Sequence, residues 1–458
     1  MEDSERKSLE DDDRRYVWHP FTQMKEWEAE TPLIIEEGSG TYLTDIYGRR
    51  YLDGVSSLWV NIHGHRKKEL DDAIISQIKR ISHSTLLGLG NVPSIRLASM
   101  LTERAPSGLV KVFYSDNGST GIEIAVKIGF QFWQQLLGGH KGKTKFISLV
   151  NAYHGDTIGS VSLGGIDLFH SLYKPLLFNS LKVSSPYCYR CHLDLNYPSC
   201  LMACLDGIEQ IMKKHSDETA AFVIEPLVQA AAGMIVSPPG FLKKVRELCT
   251  RHNILMIADE VATGFGRTGR MFACEHENVS PDLMVVSKGL TGGYLPLAAT
   301  LATKEVYDVF LGEYDEFKTF FHGHSYTGNP LGCAVAIANL NLFDSEDVLG
   351  GIKEKVIFLE ERLRAFDGLQ HVGDVRNKGL MVGIELVMDR STKKPYPLSL
   401  RIGTKVGISA RKKGLLIRPL GNVVVLMPPL SVTINELEAM VKITMDSILE
   451  VTERSCLS

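Results

Sequence analysis

Between Lys111 and Leu301 the chain alternates short apolar runs, rich in β-branched residues, with segments of helical spacing. This rhythm constrains the fold more than any other feature. The runs are Lys111-Val-Phe-Tyr114, Lys145-Phe-Ile-Ser-Leu-Val150, Ala221-Phe-Val-Ile224, Ile254-Leu-Met-Ile257, Leu283-Met-Val-Val286 and Leu297-Ala-Ala-Thr-Leu301. Strands separated by helices imply parallel pairing, with helices covering the sheet. Gly240 to His252 shows the helical pattern directly, with Phe241, Val245 and Leu248 on one face.

After residue 330 the character changes. A helix-like stretch from Gly351 to Phe366 is followed by strand signals at Gly379–Glu385 and Val423–Leu426, then by a last helix opened by Thr433-Ile-Asn-Glu436. In that tetrapeptide the threonine and glutamate can satisfy exposed backbone donors reciprocally, as a capping box. A chain of 458 residues exceeds a single ordinary core. The expected organisation is an α/β large domain with a mostly parallel central sheet over 70–330, plus a smaller α+β domain built from 331–458 and an N-terminal segment, 1–69.

With 50 basic against 54 acidic residues, no broad field favours nucleic acid or an anionic membrane. The most apolar region, Ala220 to Val236, is interrupted by Glu225 and Gln229. The first fifteen residues are too polar and acidic for a signal or transit peptide and read as a solvated, partly disordered tail. A cytoplasmic enzyme acting on small molecules is expected.

Two residues carry the chemistry. Lys288 ends the run Leu283-Met-Val-Val-Ser, and Asp259-Glu260 ends Leu255-Met-Ile-Ala one element earlier. A lysine that holds an aldehyde as an imine, and an anion opposite a pyridine nitrogen, are what pyridoxal 5'-phosphate requires. The plainer readings are a solvated lysine in a glycine-rich turn and a salt-bridged core acid, with Glu260 as the rival carboxylate. For the phosphate, Ser115-Asp-Asn-Gly118-Ser119-Thr-Gly121 supplies backbone donors between a strand and a helix start, and Gly118 and Ser119 are the chosen contacts. A turn that merely caps a helix would look the same.

Other motifs point elsewhere. Gly264-Phe-Gly-Arg-Thr-Gly269 matches a dinucleotide fingerprint literally, but no convincing helix follows it, and a glycine loop near the cofactor is preferred. His63-Gly-His65 and His322-Gly-His324 lack further ligands at zinc-like spacing, so no metal is expected. Cys188, Cys191, Cys200 and Cys204 have a short gap between the pairs and an uneven second pair, and read as reduced thiols in a surface excursion. Arg418 lies among apolar residues, an expensive place for a cation without an anionic partner; that partner is either a substrate carboxylate or a nearby acid such as Glu225.

Asp259-Glu-Val-Ala-Thr-Gly-Phe-Gly-Arg-Thr-Gly269, Ser287-Lys-Gly-Leu-Thr-Gly-Gly-Tyr-Leu-Pro296 and His322-Gly-His-Ser-Tyr-Thr-Gly-Asn-Pro330 resemble the signature series of the class III, or omega-type, aminotransferases. The resemblance runs from about Tyr16 to about Val451. It implies the fold type I of pyridoxal-phosphate transferases and a homodimer with shared active sites. It puts Lys288, Asp259 and Tyr153 at the chemistry and Val261 beneath the cofactor ring. From the partner subunit it brings a loop with His324 and Ser325 at the cofactor and Gly323 at the substrate channel. It also implies Phe21, Leu58 and Trp59 as substrate walls and Arg418 as a carboxylate clamp.

Within the family, Trp18-His-Pro-Phe-Thr-Gln-Met, Asp53-Gly-Val-Ser-Ser-Leu-Trp59, Ile417-Arg-Pro-Leu-Gly421 and Leu426-Met-Pro-Pro429 are most similar to the branch that aminates 8-amino-7-oxononanoate in biotin synthesis, especially its lysine-using form. The resemblance thus implies L-lysine, through its ε-amine, as amino donor. The alternatives are S-adenosylmethionine, or another omega-amino acid reaction altogether. An aminomutase or decarboxylase on the same scaffold would keep Lys288 and Asp259 without needing a second oxo substrate.

Overall fold

In the computed structural model, which describes residues 1–138 and 140–453, the chain opens with a helix, Asp3–Tyr16, where the sequence suggested a partly disordered tail. Its acidic first turn and basic last turn complement the helix dipole, and Arg6–Asp3 and Arg14–Asp11 pair at i,i+3. Tertiary contacts then hold it: Arg6 Nε donates to the Ile46 carbonyl at 2.8 Å and Tyr47 donates to Glu10 at 2.6 Å. Next come β1 (Ile35–Ser39), β2 (Tyr42–Asp45) and β3 (Arg50–Asp53), an antiparallel meander.

The central sheet is formed by β4 (Leu109–Ser115), β5 (Lys145–Leu149), β6 (Leu181–Val183), β7 (Thr219–Ile224), β10 (Leu255–Asp259), β11 (Leu283–Val286) and β12 (Ala298–Thr303). A separate small hairpin, β8 (Val228–Gln229) with β9 (Ile235–Val236), lies between β7 and β10 in the chain. The sheet order is β4-β12-β11-β10-β7-β5-β6, and β12 runs antiparallel to both of its neighbours while the other pairings are parallel. Every residue of β7, β10 and β11 is buried, as expected for parallel strands covered on both faces. The helix Phe241–Arg251 covers part of the sheet with Phe241, Val245 and Leu248 buried, the face that its spacing indicated.

The C-terminal part adds β13 (Val372–Lys378), β14 (Met381–Asp389), β15 (Lys394–Pro395), β16 (Leu415–Leu416) and β17 (Val423–Leu426). β16 pairs in parallel with β3, so the N-terminal meander and the C-terminal chain share a sheet. The final helix, Ile434–Thr452, begins with both halves of the Thr433/Glu436 capping box. The expected end of the small domain, 454–458, lies outside the described residues.

Candidate active site

The carboxyl ends of β4, β5, β7, β10 and β11 converge on one cavity of about 690 Å³. Open α/β sheets bind ligands at that edge, and the volume is that of a small-molecule site. Lys288, Asp259, Tyr153, Gly118, Ser119, Val261 and Trp59, singled out by sequence, all line it.

Lys288 follows β11 in a left-handed conformation, φ 44°, which turns its side chain off the strand and into the cavity. Its Nζ lies 4.8 Å from the centroid of the Trp59 ring. Burial pushes the amine below the ordinary lysine range; Asp259 and Glu225 oppose this, and Arg267 adds to it. A neutral amine is the form that can attack a carbonyl and accept a proton.

Asp259 is buried at the end of β10, with Oδ2 2.7 Å from His154 Nδ1 and Oδ1 accepting from the Val261 amide at 3.1 Å. Its rival Glu260 turns away from the cavity, accepting from Thr263 Oγ1 and, at 2.8 Å, from the Cys274 amide. Of these two adjacent acids, Asp259 is therefore the one that lines the cavity. Glu225, at the end of β7, is a second one: buried, it accepts from the Tyr153 amide at 3.1 Å and the Ala230 amide at 2.9 Å. Burial holds its carboxyl up at about 7.

Gly118 begins the helix Gly118–Gln135, capped by Asn117, whose side chain accepts from the Thr120 amide. A Cβ at Gly118 would lie 2.6 Å from Val261 Cγ1, and one at Gly155 2.3 Å from Ser119 Oγ. The glycines keep this cradle open and let backbone approach a ligand. Ser119 Oγ also lies 2.8 Å from Thr157 Oγ1 and accepts from the Thr157 amide at 3.0 Å. A helix start, two hydroxyls and small residues make a site for a phosphate, while Lys288 and Asp259 line the same cavity. The residues present fit pyridoxal phosphate.

Tyr153 donates to Asp156 at 2.6 Å, and burial together with this bond pushes its phenol above the ordinary range. Trp59 is buried and closes another wall, but Leu58 is exposed. Phe21 is exposed as well and packs edge-on against Phe169 with centroids 5.4 Å apart. Neither Leu58 nor Phe21 lines the cavity in the single chain, nor do Gly323, His324 and Ser325. His324 Nε2 reaches to 3.9 Å from Asp116, which does line it.

Arg418 differs from the environment that its apolar neighbours suggested. It is exposed, and Glu225 is engaged by backbone amides instead. Leu415 is buried and Leu416 half-buried on β16, so these apolar neighbours serve the core, while Arg418, beyond the strand, is exposed and does not line the cavity in the single chain.

Sequence reasoning missed Arg267, which it read only as part of a glycine loop. From Val261 to Phe272 the segment after β10 makes only turns and bends, and the next helical piece is the short 3-10 turn Ala273–Glu277, so no α-helix starts at the glycines and the dinucleotide reading fails there. Arg267 is fully buried, donating to Pro428 O at 2.6 Å, Asn61 O at 2.7 Å and Ser56 Oγ at 3.2 Å. Burial brings its guanidinium down to about 9, against the pull of Asp53. These bonds help hold Ser56–Trp59, four consecutive non-glycine residues at positive φ (51°, 47°, 73° and 71°). Asp53 holds the same turn through the Ser57 amide at 3.0 Å and hydroxyl at 2.9 Å.

The class-III aminotransferase family model matches residues 23–448. The adenosylmethionine-8-amino-7-oxononanoate aminotransferase of Geobacter sulfurreducens is 56% identical over 99% of this chain and 100% of its own length. The crystal structure of the enzyme of that name from Methanocaldococcus jannaschii superposes with a TM-score of 0.93 at 46% identity, covering 97% of this chain and 99% of that one. An omega transaminase from Pseudomonas jessenii, solved in complex with PMP, gives a TM-score of 0.93 at 32% identity, covering 97% of this chain and 98% of that one. With Lys288, Asp259 and the glycine cradle at one sheet edge, the chain belongs to the class-III aminotransferases and is a pyridoxal-phosphate-dependent transaminase of fold type I.

Proposed function

We propose that this enzyme transfers an amino group to 8-amino-7-oxononanoate, forming 7,8-diaminononanoate, and that it works in the cytoplasm as a homodimer. The observation that carries the reading is near-full-length identity of 56% and 54% to relatives named for that oxo acid, combined with a cavity holding the amine, the acid and the phosphate cradle together.

Pyridoxal phosphate, when bound, supplies an electron sink and an amino-group carrier. Gly118 and Ser119 would hold its phosphate, Asp259, fixed by His154, would supply the anion for its ring nitrogen, and Val261 and Tyr153 would hold the ring. Lys288 Nζ would anchor the cofactor and, once displaced by the donor amine, would accept the proton that leaves the donor carbon. Ser325 of the second copy would complete the phosphate site, with His324 beside it at the cofactor and Gly323 bordering the channel. Trp59, Leu58 and Phe21 guide the aliphatic chain, and Arg418 pairs with the carboxylate.

For the donor, one carboxylate clamp favours L-lysine through its ε-amine. The reacting carbon of the oxo acid is six bonds from its carboxylate carbon, and that of lysine is five, so one arginine serves both. The names of the relatives carry the second reading, adenosylmethionine. The test supplies the enzyme with the oxo acid and each donor, lysine labelled at the ε-nitrogen, and weighs the diamino product. Label in that product is the expected result; turnover with adenosylmethionine alone would reject lysine, and no diamino product with either donor would reject the reaction.

A further inference from the structure

We propose that Cys188, Cys191, Cys200 and Cys204 form a binding site for a thiophilic d10 cation of the zinc class, separate from the transamination site. The sequence weighed against a metal because of the spacing. The fold supplies what spacing lacked: all four cysteines, together with His192, ring one small cavity. Its volume is about 20 Å³, room for one small ion or one water. Four thiols match the coordination number of a closed structural zinc site, and soft sulfur ligands select such ions.

The segment that carries them gives a second, independent reason. From the end of β6 at Val183 to the helix that starts at Cys204, the chain makes turns but no helix or strand. Loops of this length inside a folded domain are uncommon unless they are functional or fastened. This one buries little apolar surface of its own: Leu193, Leu195, Tyr197 and Leu201 are all exposed. Yet it bridges two sheets. Ser185 bonds Gln229 of the β8–β9 hairpin, while Tyr187 and Arg190 both reach Glu385 on β14, the latter at 2.6 Å. An ion between the two cysteine pairs fixes the loop where hydrophobic burial does not.

The four cysteines are free thiols, Cys188 exposed and the other three half-buried, so none is fully enclosed or tied up in a disulfide. Among the described residues no three such side chains already stand in ligating geometry. Zinc bonds sulfur at about 2.3 Å, and the ion itself must draw the sulfurs inward. An irregular loop permits that movement, and site formation then stabilises the loop.

The experiment measures metal in the full-length holoenzyme, expressed with zinc and purified without chelator, by plasma mass spectrometry. Close to one zinc per chain is expected in the wild type, falling to background in the double variant Cys188→Ser/Cys200→Ser. Cobalt added to zinc-depleted enzyme should show sulfur-to-metal charge transfer and the visible bands of tetrahedral coordination, which reports on the site even if a variant folds poorly. Limited proteolysis should cut within 184–203 faster after chelation. Wild-type enzyme that neither contains zinc nor binds it at micromolar concentration would overturn the proposal, as would zinc retained by the double variant or cysteines found paired as disulfides by mass.

Discussion

His154 Nδ1 lies 2.7 Å from Asp259 Oδ2, and both side chains are buried where β5 and β10 end. His154 Nε2 has no partner of its own among the described residues. The imidazole therefore serves the carboxylate, fixing its rotamer beside the cavity. A hydrogen bond to a charged group contributes about 1.5–3 kcal/mol. His154→Ala should weaken cofactor affinity on the order of 10- to 100-fold, read by titrating apoenzyme with pyridoxal phosphate. Asp259→Asn should cost more, because it removes the charge itself; equal losses in the two variants would contradict this ranking.

The contact between Gly118 and Val261 gives a steric prediction. A Cβ at position 118 would meet Val261 Cγ1 at 2.6 Å, and overpacking of this kind costs about 1–3 kcal/mol. Gly118→Ala should lower cofactor affinity, and adding Val261→Ala should recover part of it. A double-mutant cycle on the cofactor dissociation constant measures the coupling. Additive losses would show that the two residues do not meet.

Glu225 makes stability depend on pH. Its carboxyl sits at about 7 in the folded chain because it is buried, against about 4.3 in an unfolded one. The folded state therefore holds a proton that the unfolded state releases, so stability falls as pH rises between those values and levels off above the upper one. The span corresponds to on the order of 3 kcal/mol. In apoenzyme, Glu225→Gln should flatten this limb of the unfolding free energy measured by denaturant between pH 5 and 8. The slope is the diagnostic quantity. The variant's absolute stability also carries the loss of an acceptor for the Tyr153 or Ala230 amide.

The residues of the site and of the fold around it differed in how legible they were in the sequence. Lys288, Asp259 and Gly118 were readable because each ends or follows an apolar run, and the parallel sheet gathers such ends at one edge. The runs themselves were readable because strands buried on both faces need continuous apolar sequence. β6 was not, since Leu181–Val183 is only three residues long, and nothing in the Leu297–Leu301 run reveals that β12 is antiparallel. The first helix escaped because its stability comes from ion pairs and docking onto Ile46 and Tyr47, not from an apolar stripe. Arg418 looked costly for an unpaired cation because its neighbours are apolar, but β16 takes only Leu415 and Leu416 into the core and leaves Arg418 exposed beyond its end.

Arg267 was illegible for a different reason: its acceptors at Ser56, Asn61 and Pro428 lie far away in the chain. It makes two separable contributions. Its three bonds support the turn that carries Trp59, where each left-handed residue costs about 1–2 kcal/mol, so Arg267→Leu should loosen residues 56–61 and leave carbonyls at 61 and 428 without donors. Faster amide exchange over that segment measures this. Its charge also adds to the burial that lowers the Lys288 amine below the ordinary lysine range. Removing it should raise the pH at which Lys288 loses its proton, seen as an upward shift in the midpoint of cofactor recapture by apoenzyme across a pH series. Arg267→Lys should retain much of the charge effect while losing the forked geometry that reaches three acceptors. Its midpoint should stay near that of the wild type even as exchange over 56–61 accelerates. If both variants moved the midpoint equally, the shift would arise from the loosened turn and not from the guanidinium charge.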